Sequence, residues 1–188
     1  MMKNYWDNAV NFDEYIQTGK ERLENPVSQQ DIDYKQYYEL GLQRMERTLK
    51  KYSPDEEQLN ELNSKNFDGK ILIISETWCG DASAAVPALV KFFEGKNDVR
   101  IFLRDSDKSL INQFLTNGTE SIPKVIILDK DFNVKNSWGP RPKYGKELLL
   151  KYKSDPENYT KDEFYNDLQL YYAKNRGKDA VQEILELL

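Results

Sequence analysis

Short apolar runs alternate with amphipathic segments through the middle of the chain. Residues 71–75 and 99–103 are apolar runs of strand length, which favours strands buried on both faces. Between them, apolar side chains recur at helical spacing from near Cys79 onward, at Ala85, Ala88, Leu89 and Phe92. A helix between two strands predicts that the strands are parallel and joined by a right-handed crossover.

Residues 125–128 form another apolar run, and a short polar loop separates them from a further predicted strand, residues 134–138. This spacing predicts an antiparallel hairpin. Before the hairpin, a short helix ending at Asn117-Gly118 is predicted, with four inward side chains: Leu110, Ile111, Phe114 and Leu115. Residues 143–151 begin a closing helix. Together these elements predict an α/β fold.

The segments on both sides of this core are polar and predicted to be helical. In the first, an amphipathic stripe is formed by Tyr34, Tyr38, Leu42, Met45, Leu49 and Tyr52. Ser53 is then predicted to cap a new helix, with Pro54 in its first position and Glu56 closing a capping box. Leu59 and Leu62 would form the buried side of that helix.

In the last segment, Thr160 and Glu163 predict another capping box, and residues 175–177 predict a helix break. The apolar faces of the two helices around this break would carry Phe164, Leu168 and Tyr171, then Val181, Ile184, Leu185 and Leu188. We therefore divide the chain into an N-terminal helical extension (1–66), a core (67–152) and a C-terminal helical extension (153–188), expected to form one compact domain. The alternative is that one terminal helix binds a partner.

Composition narrows the functional classes. The chain has 188 residues, 39% of them hydrophobic and 31% charged, which suits one domain with a strongly solvated surface. The net charge is −5 without a clustered basic face, so no nucleic-acid partner is expected. No apolar run has the length of a signal peptide or a membrane span, so we expect a cytoplasmic protein without a membrane partner.

Two residue counts exclude further chemistry. The chain has no histidine, which excludes Ser-His and Cys-His catalysis and histidine-ligated zinc. A carboxylate metal site would need a dense acidic motif that is missing, so no metal is expected. The single cysteine, Cys79, excludes an intramolecular disulfide. It lies between a predicted strand and a predicted helix, in the motif Trp78-Cys79-Gly80-Asp81-Ala82, where a helix N-terminus favours the thiolate.

The motif and two prolines carry a family resemblance. Pro87 lies eight residues after Cys79, and Pro123 lies 44 residues after it, directly before the hairpin. With this order of elements, the middle half of the chain resembles the thioredoxin superfamily. The motif, taken with residues 138–142, is similar to a group of bacterial thioredoxin-like proteins. The resemblance implies a central mixed four-stranded sheet flanked by helices, a helix kinked at Pro87, a cis Pro123, and peptide binding at Ile122 and Pro123.

The chain departs from the superfamily pattern at two related positions. Ala82 stands where thioredoxins carry a second, resolving cysteine, and Ile73 stands where many carry a buried aspartate. Release of a substrate by an internal second thiol is therefore impossible. A peroxiredoxin motif needs a threonine three residues before the nucleophilic cysteine. This chain has Glu76 there, so the motif is not that of a peroxiredoxin. Because Glu76 and Asp81 are acidic, we expect the pKa of Cys79 to be only modestly below the reference of about 8.5.

These features support a monothiol exchange as the first functional hypothesis. Cys79 would accept a small thiol from a protein or small-molecule disulfide, and an exogenous low-molecular-weight thiol, the only cofactor expected, would free it. Arg104, Lys124 and Arg141 are candidates for holding a carboxylate of that thiol, although for each residue taken singly a solvated or structural role is favoured. The alternative hypothesis is a non-catalytic module that binds an extended peptide. A weaker third hypothesis is iron–sulfur binding, as in monothiol glutaredoxins.

Overall fold

The structure is a computed structural model that describes residues 2–188; Met1, the first residue of the predicted N-terminal extension, lies outside them. One mixed sheet has the strand order β2-β1-β3-β4. Its strands are β1 (Lys70–Ser75), β2 (Val99–Leu103), β3 (Lys124–Leu128) and β4 (Val134–Trp138). The β1–β2 pair is parallel, whereas β1–β3 and β3–β4 are antiparallel. The predicted α/β fold with a mixed four-stranded sheet is thus confirmed.

Helices of residues 2–188 cover this sheet and extend it at both ends. They are α1 (Met2–Asp7), α2 (Phe12–Glu24), α3 (Gln29–Asp33), α4 (Lys35–Lys51), α5 (Glu56–Lys65), α6 (Ala82–Phe93), α7 (Lys143–Ser154), α8 (Lys161–Asn175) and α9 (Lys178–Leu185). The crossover helix α6 contains Pro87, as the resemblance implies. It packs against α4 on one side and α9 on another.

The hydrophobic core joins the terminal helices to the sheet. The central strands β1 and β3 are almost entirely buried, as apolar runs with cover on both faces require. The same cluster includes side chains from α1, α2, α4, α5 and α9: Trp6, Tyr15, Met45, Leu62 and Ile184. A smaller cluster joins α7 and α8 to α6 through Ala84, Leu148, Phe164 and Leu168. Removing either terminal segment would therefore expose apolar surface of the core.

The N-terminus of α5 differs from the prediction. Asp55, and not Ser53, is the N-cap, and its carboxylate accepts a 3.0 Å hydrogen bond from the Glu57 N–H. Glu56 is the first residue of the helix and closes no capping box. The carboxylate of Asp55 can accept from a free N–H group of the first turn, and the acidic residues that follow it interact favourably with the helix dipole. These two effects explain why α5 begins later than predicted.

The helix predicted before the hairpin was also wrong, because the observed element is much shorter. Only a 3₁₀ turn forms, at Ile111–Gln113, and Leu115 is 43% exposed instead of inward. The chain turns back directly afterwards, because Asn117 and Gly118 both adopt positive φ angles (51° and 74°). There is no room for a second helical turn.

The C-terminal helices follow the prediction more closely. The capping box of Thr160 and Glu163 is confirmed, and the break between α8 and α9 occurs where Arg176 and Gly177 are left-handed. Tyr172, which the prediction omitted, is the buried tyrosine of α8, whereas Tyr171 is half-buried. This difference matters because Tyr172 reaches the motif around Cys79.

Candidate functional site

Cys79 lies in the loop between β1 and α6, at the carboxyl end of β1. α6 begins at Ala82, so Cys79 precedes the helix by one turn instead of starting it. The N–H groups of Asp81 and Ala82 approach the sulfur, which favours the thiolate. The thiol is nevertheless only 7% exposed, and its Sγ donates a 3.3 Å hydrogen bond to the carbonyl oxygen of Ile122.

The charge balance at Cys79 corrects the expected acidification. Burial first, and then the carboxylate of Asp81, raise the pKa of the Cys79 thiol to about 12. The N–H groups of Ala82 and Asp81 and the guanidinium of Arg141 lower the pKa without overcoming burial. The expectation of a pKa below the reference value was wrong, because the sequence indicates a helix terminus but not how completely the sulfur is enclosed.

Asp81 and Arg141 form an ion pair beside the thiol. The distance from Arg141 Nη2 to Asp81 Oδ2 is 2.8 Å, and the two side chains are only 18% and 10% exposed. Tyr172 donates a second hydrogen bond to the same carboxylate over 2.8 Å. The Arg141 guanidinium is thus already paired, which weakens its candidacy for holding a carboxylate of a small thiol.

A second network fixes Trp78 and Arg104. Asp105 accepts a 3.2 Å hydrogen bond from the indole of Trp78 and forms a 2.7 Å ion pair with Arg104. The Arg104 guanidinium lies 5.0 Å from the centre of the Trp78 ring. Glu76 is buried in the same network and forms a 2.9 Å ion pair with Arg22. Arg104 is therefore already paired with Asp105. The sequence did not indicate that Asp105 and Arg22 belong to this network.

Ile122 faces Cys79 from the loop that precedes β3. The peptide bond between Ile122 and Pro123 is cis, and the Gly139–Pro140 bond packed against Pro123 is also cis. Lys124 begins β3, is buried, and donates a 3.2 Å hydrogen bond to the Thr116 hydroxyl. Burial lowers the pKa of Lys124. Its ammonium is thus turned toward a hydroxyl of the protein.

Two clefts meet at the motif, and both are lined by Trp78, Cys79, Asp81 and Arg141. The first, of about 350 Å³, separates the motif from Ile122. The second, of about 700 Å³, lies between α4 and α8 and includes Tyr34, Arg44 and Gln169. The ring of Tyr34 packs edge-on against that of Trp78 at 5.0 Å. The sequence placed Tyr34 in an amphipathic stripe and gave no signal for Gln169, which is far from the motif along the chain.

Two further features are absent from residues 2–188. Within that range, there is no group of three or more Cys, Asp or Glu side chains placed to hold a metal ion. No helix in the same range is long and apolar enough to cross a membrane.

Comparisons with known proteins agree with this geometry. Residues 27–159, more than half of the chain, match the family model described as Thioredoxin. A comparison with curated protein sequences gave no significant match. One similar solved structure is a protein of unknown function from Pseudomonas aeruginosa, with a TM-score of 0.62 and 16% identity over 97% of this chain and 93% of that one. Another is an HIV epitope-scaffold, with a TM-score of 0.63 and 16% identity over 98% and 95%. At this identity the two structures are informative about the fold alone.

Proposed function

The chain belongs to the thioredoxin family, and from this membership we propose that it carries out monothiol thiol–disulfide exchange through Cys79. The observation that carries the proposal is the position of the sulfur. Cys79 lies where two clefts meet, 3.3 Å from the Ile122 carbonyl and beside the N–H groups of Asp81 and Ala82. We infer that the clefts admit a disulfide substrate and that the two N–H groups stabilise a developing thiolate.

The proposed reaction has two steps. In the first, the Cys79 thiolate attacks the small-thiol sulfur of a mixed disulfide, that S–S bond breaks, and a new S–S bond joins Cys79 to the small thiol. The protein thiolate that leaves takes up the proton that Cys79 lost. In the second step, another small thiol attacks the adduct, freeing Cys79 and forming a small disulfide. Because Ala82 carries no sulfur, the second thiol must come from solution.

The environment of Cys79 sets the rate. Exchange requires the thiolate, and burial raises the pKa of Cys79 to about 12, so the thiolate is rare at neutral pH. We propose a slow exchanger that contributes to redox homeostasis in a compartment rich in small thiols, such as the cytoplasm. Its rate should rise about tenfold per pH unit from about pH 7 to about pH 10, whereas an ordinary thiol levels off above about 8.5.

Trapping the first intermediate tests the exchange. The protein is incubated with a peptide that carries a mixed disulfide to glutathione, and its intact mass is followed with time. We expect one glutathione adduct on Cys79 and none on Cys79→Ser. A wild-type protein that stays unmodified at about pH 9, while a short peptide of the same motif reacts, would contradict the proposal.

The burial of Cys79 favours a second candidate, a module that binds an extended peptide. The α4–α8 cleft exposes apolar side chains on both walls, with Tyr37 56%, Leu40 40% and Tyr165 48% exposed. In the described part of the chain, the Ile122 N–H donates no hydrogen bond, so it is free to pair with a peptide backbone. Neither feature needs a reactive thiol.

Selection from a cysteine-free peptide library separates the two candidates. If binding alone is the function, wild type and Cys79→Ser should enrich the same peptides with equal affinity. Gly80→Trp would place a large side chain in the cleft that Gly80 lines and should abolish that enrichment. Absence of any selected peptide, together with a Cys79 adduct in the trapping experiment, would leave the exchange as the function.

A further inference from the structure

We propose that the α4–α8 cleft selects small thiols and disulfides that carry a negative charge close to their sulfur, and that Arg44 and Gln169 bind this charge. The inference rests on the proposed exchange at Cys79 and names the chemical class of its small partner. It assigns the anion to Arg44 and Gln169, and not to the three cations that the sequence indicated.

Those three cations already have partners. Arg104 is 2.7 Å from Asp105, and Arg141 is 2.8 Å from Asp81. Binding a substrate carboxylate to either would first require breaking a mostly buried ion pair, which is costly. Lys124 is buried and donates to Thr116. The smaller cleft, which Arg104 and Arg141 line, therefore offers no uncommitted positive charge among residues 2–188.

Arg44 and Gln169 are placed differently. A methyl group built on Gly80 would lie 3.8 Å from Arg44 Nη1 and 3.5 Å from Gln169 Nε2, so both N–H groups converge on the residue next to Cys79. In the described range of the chain, neither side chain hydrogen-bonds to a protein atom, and Arg44 forms no ion pair. The missing side chain at Gly80 leaves space for a group of the ligand, and charge-assisted hydrogen bonds from these two donors would favour an anion.

The surroundings of Arg44 strengthen the preference for an anion. A small pocket between α4 and α8 is lined by four cationic side chains and no acidic one: Arg44, Arg47, Lys51 and Arg176. None of the four forms an ion pair within residues 2–188. Arg44 is half-buried. Its pKa is lowered mainly by burial and, to a smaller extent, by the like charge of Arg47. A bound anion would offset both effects, in a protein whose net charge is −5.

The larger cleft itself carries mixed charges. Asp81 faces it but is paired with Arg141, and Asp162 and Lys161 lie together at the start of α8. The unbalanced charge of this cleft is thus that of Arg44.

The position of the two donors favours a ligand whose charge lies close to its sulfur. The pocket beyond Arg44 has a volume of about 20 Å³, which is room for about one water molecule. An anionic group must therefore stay at the mouth of this pocket, within a few ångströms of Gly80. Its charge can be only a few bonds from the sulfur that meets Cys79. A small thiol or disulfide with a carboxylate near its sulfur satisfies this condition.

Two chromogenic disulfides of different charge test the inference. Cys79 attacks one sulfur of the probe, its S–S bond breaks, a Cys79–probe disulfide forms, and the second half leaves as a coloured thiolate or thione. The anionic probe is 5,5′-dithiobis(2-nitrobenzoate) and the neutral probe is 4,4′-dithiodipyridine. The measured quantity is the ratio of their second-order rate constants, because a change in the intrinsic reactivity of Cys79 affects both rates and largely cancels.

We expect Arg44→Gln to lower the anionic-to-neutral ratio about three- to tenfold, and Gln169→Leu to lower it about twofold. The control is Lys130→Gln, which removes the same charge from the exposed β3–β4 loop at the far end of β3 and should leave the ratio unchanged. In wild type, raising the salt from about 20 mM to about 500 mM should lower the ratio toward that of Arg44→Gln.

The outcomes separate this inference from the function on which it rests. If the neutral probe modifies Cys79 but neither Arg44→Gln nor Gln169→Leu changes the ratio, the anion site is overturned and the exchange stands. If neither probe modifies folded wild-type protein while both modify it in urea, the exchange fails and this inference fails with it. Gln169→Leu keeps the test decisive even if Arg44→Gln does not fold.

Discussion

Tyr172 donates a 2.8 Å hydrogen bond to Asp81, a residue 91 positions earlier in the chain. The same carboxylate forms the ion pair with Arg141, so two groups from the C-terminal half of the chain fix the charge that stands beside Cys79. Burial and the charge of Asp81 raise the pKa of Tyr172 well above its ordinary value, so the phenol stays protonated and continues to donate. The reactivity of the thiol therefore depends on α8 as well as on the motif.

Removing the charge of Asp81 should make Cys79 more reactive. The carboxylate raises the pKa of the thiol, and Asp81→Asn removes that effect and leaves the positive charge of Arg141 uncompensated. We expect alkylation by iodoacetamide at about pH 8 to accelerate by up to about tenfold, the change that one pKa unit produces. Tyr172→Phe, which removes a hydrogen bond and keeps the charge, should change the rate less. Equal or slower alkylation of Asp81→Asn would show that Asp81 does not control the thiol.

Removing Arg141 should have the opposite effect on Cys79 and should also destabilise the fold. Arg141→Gln takes away a group that lowers the pKa of the thiol, and it leaves the mostly buried Asp81 without its counter-charge. We expect slower alkylation and a loss of about 2–3 kcal/mol in the free energy of unfolding.

A double-mutant cycle checks the origin of that loss. Urea unfolding of Asp81→Asn, Arg141→Gln and the double variant gives the coupling energy between the two side chains. If the ion pair carries the loss, the double variant should be more stable than Arg141→Gln alone. Strictly additive effects would assign the loss to packing of the arginine stem instead.

Glu76 should make stability depend on pH. Burial raises its pKa to about 7 from an ordinary 4.5, despite the hydrogen bond from the Asp105 N–H and the charge of Arg22. Between these two values the folded chain holds a proton that the unfolded chain has lost. The contribution of Glu76 to the free energy of unfolding is therefore full below about 4.5 and is lost as the pH rises through about 7.

The neutral variant Glu76→Gln isolates this contribution. The free energy of unfolding of wild type minus that of Glu76→Gln should fall between about pH 5 and about pH 8, by about 1.4 kcal/mol per unit of pKa difference. Urea unfolding of both proteins at intervals of one pH unit measures it. A difference that stays constant, or that grows with pH, would mean that Glu76 is ionised throughout and stabilised by Arg22.

The sheet was predictable from the sequence because its signals are local. The apolar runs of β1 and β3 are uninterrupted, and the polar loop before Val134 has the length of a hairpin connection. The capping box of Thr160 is also encoded within four residues. Predictions failed where two local signals competed. Ser53 and Asp55 are both capable N-caps, and the cap that forms is Asp55, whose carboxylate accepts from the Glu57 N–H.

The environment of Cys79 was not predictable in the same way. The motif indicates where the thiol lies along the chain, but its burial depends on Ile122, and its charge balance depends on Arg141 and Tyr172. Each of these comes from a distant segment, and none carries a local pattern that marks its role. Arg44 and Gln169 were missed for the same reason, since α4 and α8 meet at Gly80 only in the folded chain.

The contact between α4 and the motif loop is the basis of a last prediction. Gly41 of α4 packs so closely on the Thr77 carbonyl that an added methyl group would collide with this backbone oxygen, which cannot move without shifting the loop before Cys79. Although alanine is the better helix former by about 1 kcal/mol, we expect Gly41→Ala to destabilise the protein by about 3 kcal/mol or more and to change the alkylation rate of Cys79.

The matched control is Gly145→Ala in α7, where the added methyl would meet Leu168 Cδ1 at 3.2 Å and Arg141 Cβ at 3.3 Å. Leu168 Cδ1 can rotate away, and the contact at Arg141 Cβ needs a shift of only a few tenths of an ångström, so that variant should stay within about 1 kcal/mol of wild type. Thermal or urea unfolding compares the two, and equal stability of both variants would mean that α4 can move away from the loop without cost.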